Sequence, residues 1–362
     1  MANKYWVGGG SSTNWSAITP TNWSLTDGGG NDAAIPATGD DVFLKSSANC
    51  VLNVTTPVLR SFDMTGYSGT FTFGAYSLKV GPATENTVTC TFAGTIDLDP
   101  SAEIRFSPAG TAIINFVSGG FAFKLMYLQG GTGSVDQQDA LNVENIYVYD
   151  GNWNTNGFAI NAAYRIIVTK SSYSPTLNIT DSTITVSGSE NNSWDLSNVD
   201  ATLISTNSTI NITSGATFKG GGKTYNVVTF SGNAATITGN NTFVTLNVNT
   251  AGLATGLKFT IDSIQTITNF TTNGSVGNLA KILSTSASSH FHLTTGSAQI
   301  SVDYMSIKDS VADQANTWYA GANSVNVSGN SGWVFTAPKV LGVSSPAKVS
   351  GVALPVKILG VG

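Results

Sequence analysis

The chain has 362 residues, of which only 10 % are charged and 41 % hydrophobic, a length that would split an ordinary globular protein into two or three domains. Its formal net charge of −5 offers no basic stripe to release phosphate counterions, which excludes nucleic acid as a partner. With 17 Phe, 11 Tyr and 7 Trp among abundant Thr, Ser, Asn and Gly, the chain is not disordered; it folds and keeps a neutral polar surface.

The first residues, Met1-Ala2-Asn3-Lys4-Tyr5-Trp6-Val7-Gly8-Gly9, lack an apolar run followed by a cleavage site, so no secretory signal is expected. A composition of the extracellular kind without such a signal points to synthesis in the cytoplasm and release by another route. Virus assembly followed by host lysis is the simplest one. Thr13-Asn-Trp-Ser16 and Thr21-Asn-Trp-Ser24 repeat between glycine runs at Gly8–Gly10 and Gly28–Gly30. Glycines permit tight backbone paths and tryptophans can cover the open end of a core, so residues 1–45 read as a cap or attachment region.

From Asp41-Val-Phe-Leu44 to Phe335 short strand patterns run without a helix. Alternation is clear in Thr70-Phe-Thr-Phe73, Asn145-Ile-Tyr-Val-Tyr149, Thr183-Ile-Thr-Val186 and Thr209-Ile-Asn-Ile212. The fragment Lys223–Gly232 is echoed by Thr242–Val248 and again by Gln265–Gly274. A period of roughly 18–24 residues predicts stacked coils, because one such unit cannot bury its apolar side alone. Residues 46–335 are therefore expected to form a β-solenoid body of on the order of fourteen coils and roughly 60–70 Å, shorter if the N-terminal part is a sandwich. Inward Val, Ile, Leu and Phe would stack coil upon coil, and outward Thr and Asn would form hydrogen-bonded ladders. Cys50 and Cys90 lie in such runs and read as two buried thiols rather than a disulfide framework.

The last segment, 336–362, repeats Lys339-Val-Leu-Gly-Val343, Lys348-Val-Ser-Gly-Val352 and Lys357-Ile-Leu-Gly-Val361, a tail expected to order against a partner or sister chains. Its prolines and lysines break the apolar run, and no stretch reaches the ~18 residues that a membrane span needs.

Chemistry-bearing residues are sparse. The only histidines, His290 and His292, stand two apart in Ser289-His-Phe-His-Leu293, and no serine sits in a nucleophile-elbow motif, so Ser–His–Asp catalysis is not supported. On a strand both imidazoles face one way, and a three-fold assembly could bring six of them together around a metal. The densest acidic patch is Asp136, Asp139, Glu144 and Asp150, with Tyr147, Tyr149 and Trp153 nearby, a combination that would suit a sugar and paired-carboxylate cleavage. Acids in turns are equally the solvated residues of any solenoid. Asp181, Asp195 and Asp200 could hold calcium in turns, though the Gly-Gly-x-Gly-x-Asp nonapeptide is missing. None of these groups is assigned a catalytic, cofactor or metal role.

Several stretches together resemble the right-handed parallel β-helix proteins found among phage and prophage virion structural proteins of the fibre, spike and decoration type. They are Tyr5-Trp-Val-Gly-Gly9 with Asn22-Trp-Ser24, Pro36–Phe43, Phe62–Phe71, Gly220–Asn226, Ile237–Phe243, Val302–Ser310, Thr317–Ser324 and Asn330–Phe335. The likeness spans residues 5–335 and implies an all-β, right-handed β-solenoid in a virion or surface setting, with no agreed active site. On that footing the chain is expected to be a non-enzymatic phage virion protein, a fibre, spike or capsid-decorating appendage. The fibre class implies a homotrimer with other virion proteins of head or tail as partners, and a host surface glycan as a further partner. A polysaccharide-degrading tailspike and a bacterial surface adhesin are the alternatives.

Overall fold

The computed structural model describes residues 1–83, 86–189, 192–297 and 299–336. The chain is all-β, without helices among the described residues, and its parallel strands stack into a β-solenoid of about 13 turns. The stack grows from period-two alternation. In Thr70–Phe73 the two Phe side chains are buried and the two Thr side chains are not, and Thr209–Ile212 repeats the pattern with Ile.

Each coil contributes up to three strand segments, and these form the faces of the rod. The first face begins with Asn3–Trp6 and continues through Asp41–Leu44, Ser61–Asp63, Thr87–Thr91, Ile113–Val117, Ser134–Gln137, Asn152–Asn154, Thr176–Asn178 and Thr202–Ile204. Cys50–Leu52, Thr70–Phe73 and Thr95–Leu98 form a second, short face. The third begins with Val58–Leu59, Ser77–Val80 and Glu103–Phe106, and there the strands lengthen into Ala122–Leu128, Leu141–Val148 and Ile160–Val168. Inside this face one apolar column runs in register through Leu78, Ile104, Met126, Ile146, Ile166, Trp194, Phe218, Ile237 and Phe259. Every member of that column is buried. The one-dimensional core predicted from the repeat is present, and no sandwich interrupts it.

The N-terminal end uses its tryptophans. Trp6 and Trp15 both pack edge-on against Trp23, with ring centroids 5.1 and 4.6 Å apart, and Trp15 approaches Phe62 of the core. Trp23–Ser24 turns back antiparallel along Asn3–Trp6, so an antiparallel pair closes a sheet that is otherwise parallel. Asn22, 1 % exposed, knits the glycine-rich loop together. Its Oδ1 accepts from the Gly10 amide at 2.7 Å, and its Nδ2 donates to the carbonyls of Ser12 at 2.7 Å and Asn14 at 3.0 Å. A Cβ on Gly10 would lie 2.5 Å from Asn22 Oδ1, so only glycine fits there. The three Lys-Val/Ile-x-Gly-Val repeats lie outside the described residues.

Candidate functional site

Two sets of three strands lengthen in the same way along the rod, Ala122–Leu128 to Ile160–Val168 and Thr224–Phe230 to Ile264–Thr272, and the first of them carries a cluster of outward tyrosines. Ala122–Leu128, Leu141–Val148 and Ile160–Val168 are seven, eight and nine residues long. In the first two the buried-outward alternation breaks in the middle, where Lys124-Leu125 and Glu144-Asn145 are consecutive half-buried residues. The register shifts between Val143 and Asn145 as the third strand joins. Two successive outward residues mean that the strand turns a corner there, and the bulge presents a broad three-strand surface on both sides of the bend.

On one side of the bend lies an aromatic stack. Tyr127 and Tyr147 are partners in register, their rings 5.1 Å apart and 17° from parallel. Tyr149 packs against both, at 5.9 and 5.7 Å. One coil earlier Arg105 places its guanidinium 4.7 Å from the centre of the Tyr127 ring, a cation–π contact. Arg105 Nε also donates to Glu103 Oε2 at 2.8 Å, and Ser77 Oγ donates to the same oxygen at 2.6 Å. Partial burial raises the Tyr127 and Tyr149 phenols above their usual range, with smaller contributions from Glu103 at Tyr127 and from the neighbouring tyrosines, so these two phenols keep their protons at neutral pH. All three rings are half-buried.

On the other side of the bend lies a shallow groove of about 300 Å³ lined by Ala122, Asn142, Glu144, Asn161, Ala163 and Thr185. Its floor is the start of a polar column, Asn142–Asn161–Thr185–Asn211–Thr229–Asn247–Thr271. Asn161 Nδ2 donates to Asn142 Oδ1 at 3.0 Å, Asn247 Nδ2 to Thr229 Oγ1 at 3.0 Å, and Thr271 Oγ1 to Asn247 Oδ1 at 2.5 Å. The predicted outward amide and hydroxyl ladder is therefore real. Glu144 is ion-paired to Lys124 at the bend.

The acidic patch singled out in the sequence is distributed rather than assembled. Asp136 lies on the first face and accepts from Asn154 Nδ2 at 2.6 Å. Asp139 takes the amides of Ser118 at 2.7 Å and Gly119 at 2.8 Å, fastening one turn to the coil before it. Asp150 is 1 % exposed and ties the amides of Gly130, Ser172 and Tyr173 at 2.6–2.8 Å, so it joins three successive turns. Trp153 corrects the expectation of a sugar-facing ring. It is fully buried in the core beside Phe106 and Phe116. Tyr147 and Tyr149 are half-buried on the outer surface, across the bend from the groove that Glu144 lines.

His290 and His292 flank the buried Phe291 and precede the buried Leu293, so alternation does turn both imidazoles outward. Asp181 accepts from Asn207 Nδ2, Asp195 pairs with Lys219 and Asp200 with Lys170. Among the described residues no three His, Cys, Asp or Glu side chains converge as a metal site. Cys50 and Cys90 are free and buried, and burial pushes both thiols well above their usual range. No described helix is long and apolar enough to cross a membrane.

Sequence reasoning missed Tyr127, Arg105 and Lys79. They are one coil apart from one another and from Tyr147, and only the register reveals them as a single column. Comparison with known protein families, with curated proteins and with solved structures returns no match.

Proposed function

We propose that the chain is a structural protein of a bacteriophage particle, a β-solenoid fibre, spike or capsid-decorating appendage that meets the host surface along its side. It is made in the host cytoplasm, assembles as a homotrimer with other virion proteins, and acts by holding rather than cleaving. The observation that carries the reading is the continuous stack of parallel coils, which supplies a stiff rod with few charges and a side face of tyrosines and amides. The sequence likeness to phage β-helix proteins supports the particle setting. The carboxylates that a depolymerase would use are engaged in fastening turns or in ion pairs, which favours binding over hydrolysis.

Mass spectrometry of purified, nuclease-treated particles tests the proposal directly. Peptides of this chain at stoichiometric level are expected; their absence removes the virion role and favours the bacterial adhesin. Light scattering tests the trimer. New reducing ends after incubation with host capsule would replace the holding role with the depolymerase.

A further inference from the structure

The outer column that passes through the tyrosine stack is not neutral. It runs in register through Lys79, Arg105, Tyr127, Tyr147 and Ile167, so two cations stand directly above two stacked rings. The same surface carries Lys124 at the bend. Its carboxylates are Glu103 and Glu144, and each is already bound to a cation, Arg105 and Lys124. Lys79 makes no ion pair among the described residues. In a chain of only 16 Lys and Arg with net charge −5, this is a local cationic excess where three phenol rings meet solvent.

We infer that this surface binds an acidic polysaccharide, laid along the rod axis from Lys79 to Tyr147. Sugar rings lie across the outward edges of Tyr127, Tyr147 and Tyr149, whose faces are taken up by one another and by Arg105, while carboxylates of the polymer meet Lys79 and the outward edge of Arg105. Two of the five guanidinium N–H groups of Arg105 point at Glu103, and its Nη1 group is left for a ligand. Four residues of the column cover three coil spacings, roughly 14 Å. That is long enough for more than one ring, so an extended polymer fits better than a single sugar. The cation–π contact and the Glu103 bond fix the guanidinium before any ligand arrives, which lowers the ordering cost of binding. The inference rests on the reading of this side of the rod as its contact face.

The test is binding of the full chain to an array carrying polygalacturonate, hyaluronate and alginate beside dextran, mannan, galactan and polyglutamate. At least one acidic polysaccharide is expected to bind about tenfold more tightly than any neutral one or polyglutamate, and to weaken as salt rises. Tyr147→Ala and Lys79→Gln should each weaken binding, Tyr147→Phe should retain it, and Lys308→Gln, which removes a distant positive charge, should leave it unchanged. Tyr147 and Lys79 point outward, so each variant is expected to stay folded, with an unchanged circular dichroism melt for Lys79→Gln and only a slightly lower one for Tyr147→Ala, which loses its ring contacts with Tyr127 and Tyr149. A neutral polysaccharide or polyglutamate as the best ligand, no binding to any acidic polysaccharide, or an indifferent Tyr147→Ala variant overturns the inference. Failure on the array with the chain present in particles sinks this inference alone; acidic-polysaccharide binding with the chain absent from particles sinks the virion reading alone.

Discussion

Asn241 and Gln265 show how single side chains hold neighbouring coils together. They are partners in register, 2 % and 0 % exposed, and Asn241 Nδ2 donates to Gln265 Oε1 at 3.0 Å. Gln265 Nε2 in turn reaches the Gly239 carbonyl at 2.8 Å, and Asn241 Oδ1 accepts the Gly222 amide at 3.2 Å. Asn241→Ala strands the Gln265 acceptor in the interior, while the exposed Gly222 amide turns to water, an expected loss of about 1–3 kcal/mol, read as a lower thermal midpoint. Burial acts on the titratable groups as well. Tyr225 and Tyr67 have phenols raised above their ordinary value, chiefly by desolvation, and the Cys50 and Cys90 thiols are raised for the same reason. A raised folded pKa means that the stabilisation is complete below the unfolded value and is lost as pH climbs toward the folded one. The thermal midpoint, followed from pH 7 upward, is therefore expected to hold and then fall above about pH 9–10, where free thiols and phenols begin to ionise. A midpoint that rises through that window contradicts the assignment.

At the scale of the element, the strand is what the sequence displayed and the coil is what it concealed. Alternation in Thr70–Phe73 or Thr183–Val186 announces a strand because the period of two is written in adjacent residues. Register is not, since it depends on turns of unequal length between coils. That is why Tyr127 went unnoticed beside Tyr147, and why Trp153, near acids in sequence, faces the core instead. The bend at Glu144-Asn145 was equally invisible, for a break in alternation reads as a weak strand until its neighbours show the same break. Turns impose their own demands. Gly221 adopts φ +62°, and a Cβ there would lie 1.9 Å from the Leu196 carbonyl oxygen of the preceding coil. Gly221→Ala is expected to cost more than about 1 kcal/mol, whereas Gly296→Ala, where an added Cβ meets nothing within 4 Å, should be near neutral or mildly stabilising. Thermal melts of the two variants check the contrast. In the core, Phe218 stacks on Trp194 with rings 5.8 Å apart and 5° from parallel, so Phe218→Ala should cost about 3–5 kcal/mol by the same measurement.

For the molecule as a whole, stability runs along one axis. About 13 turns at ~4.8 Å per strand spacing give a body roughly 60 Å long, a dimension that small-angle scattering reads directly. The tryptophan cluster closes one end, where Trp23–Ser24 shields the first strand and Trp15 covers Phe62. Removing residues 1–40 exposes the edge of Asp41–Leu44, and concentration-dependent end-to-end association is the expected outcome in light scattering. Both cysteines belong to this half of the rod: Cys50 pairs in register with Phe71, and Cys90 with Phe62 and Phe116. The protein thus carries its own clock for fraying. A thiol reagent can modify Cys50 or Cys90 only when those coils part, so the labelling rate times the breathing of the capped end while the rest of the rod stays silent. If labelling lags far behind the loss of β signal on heating, the rod melts from the opposite end.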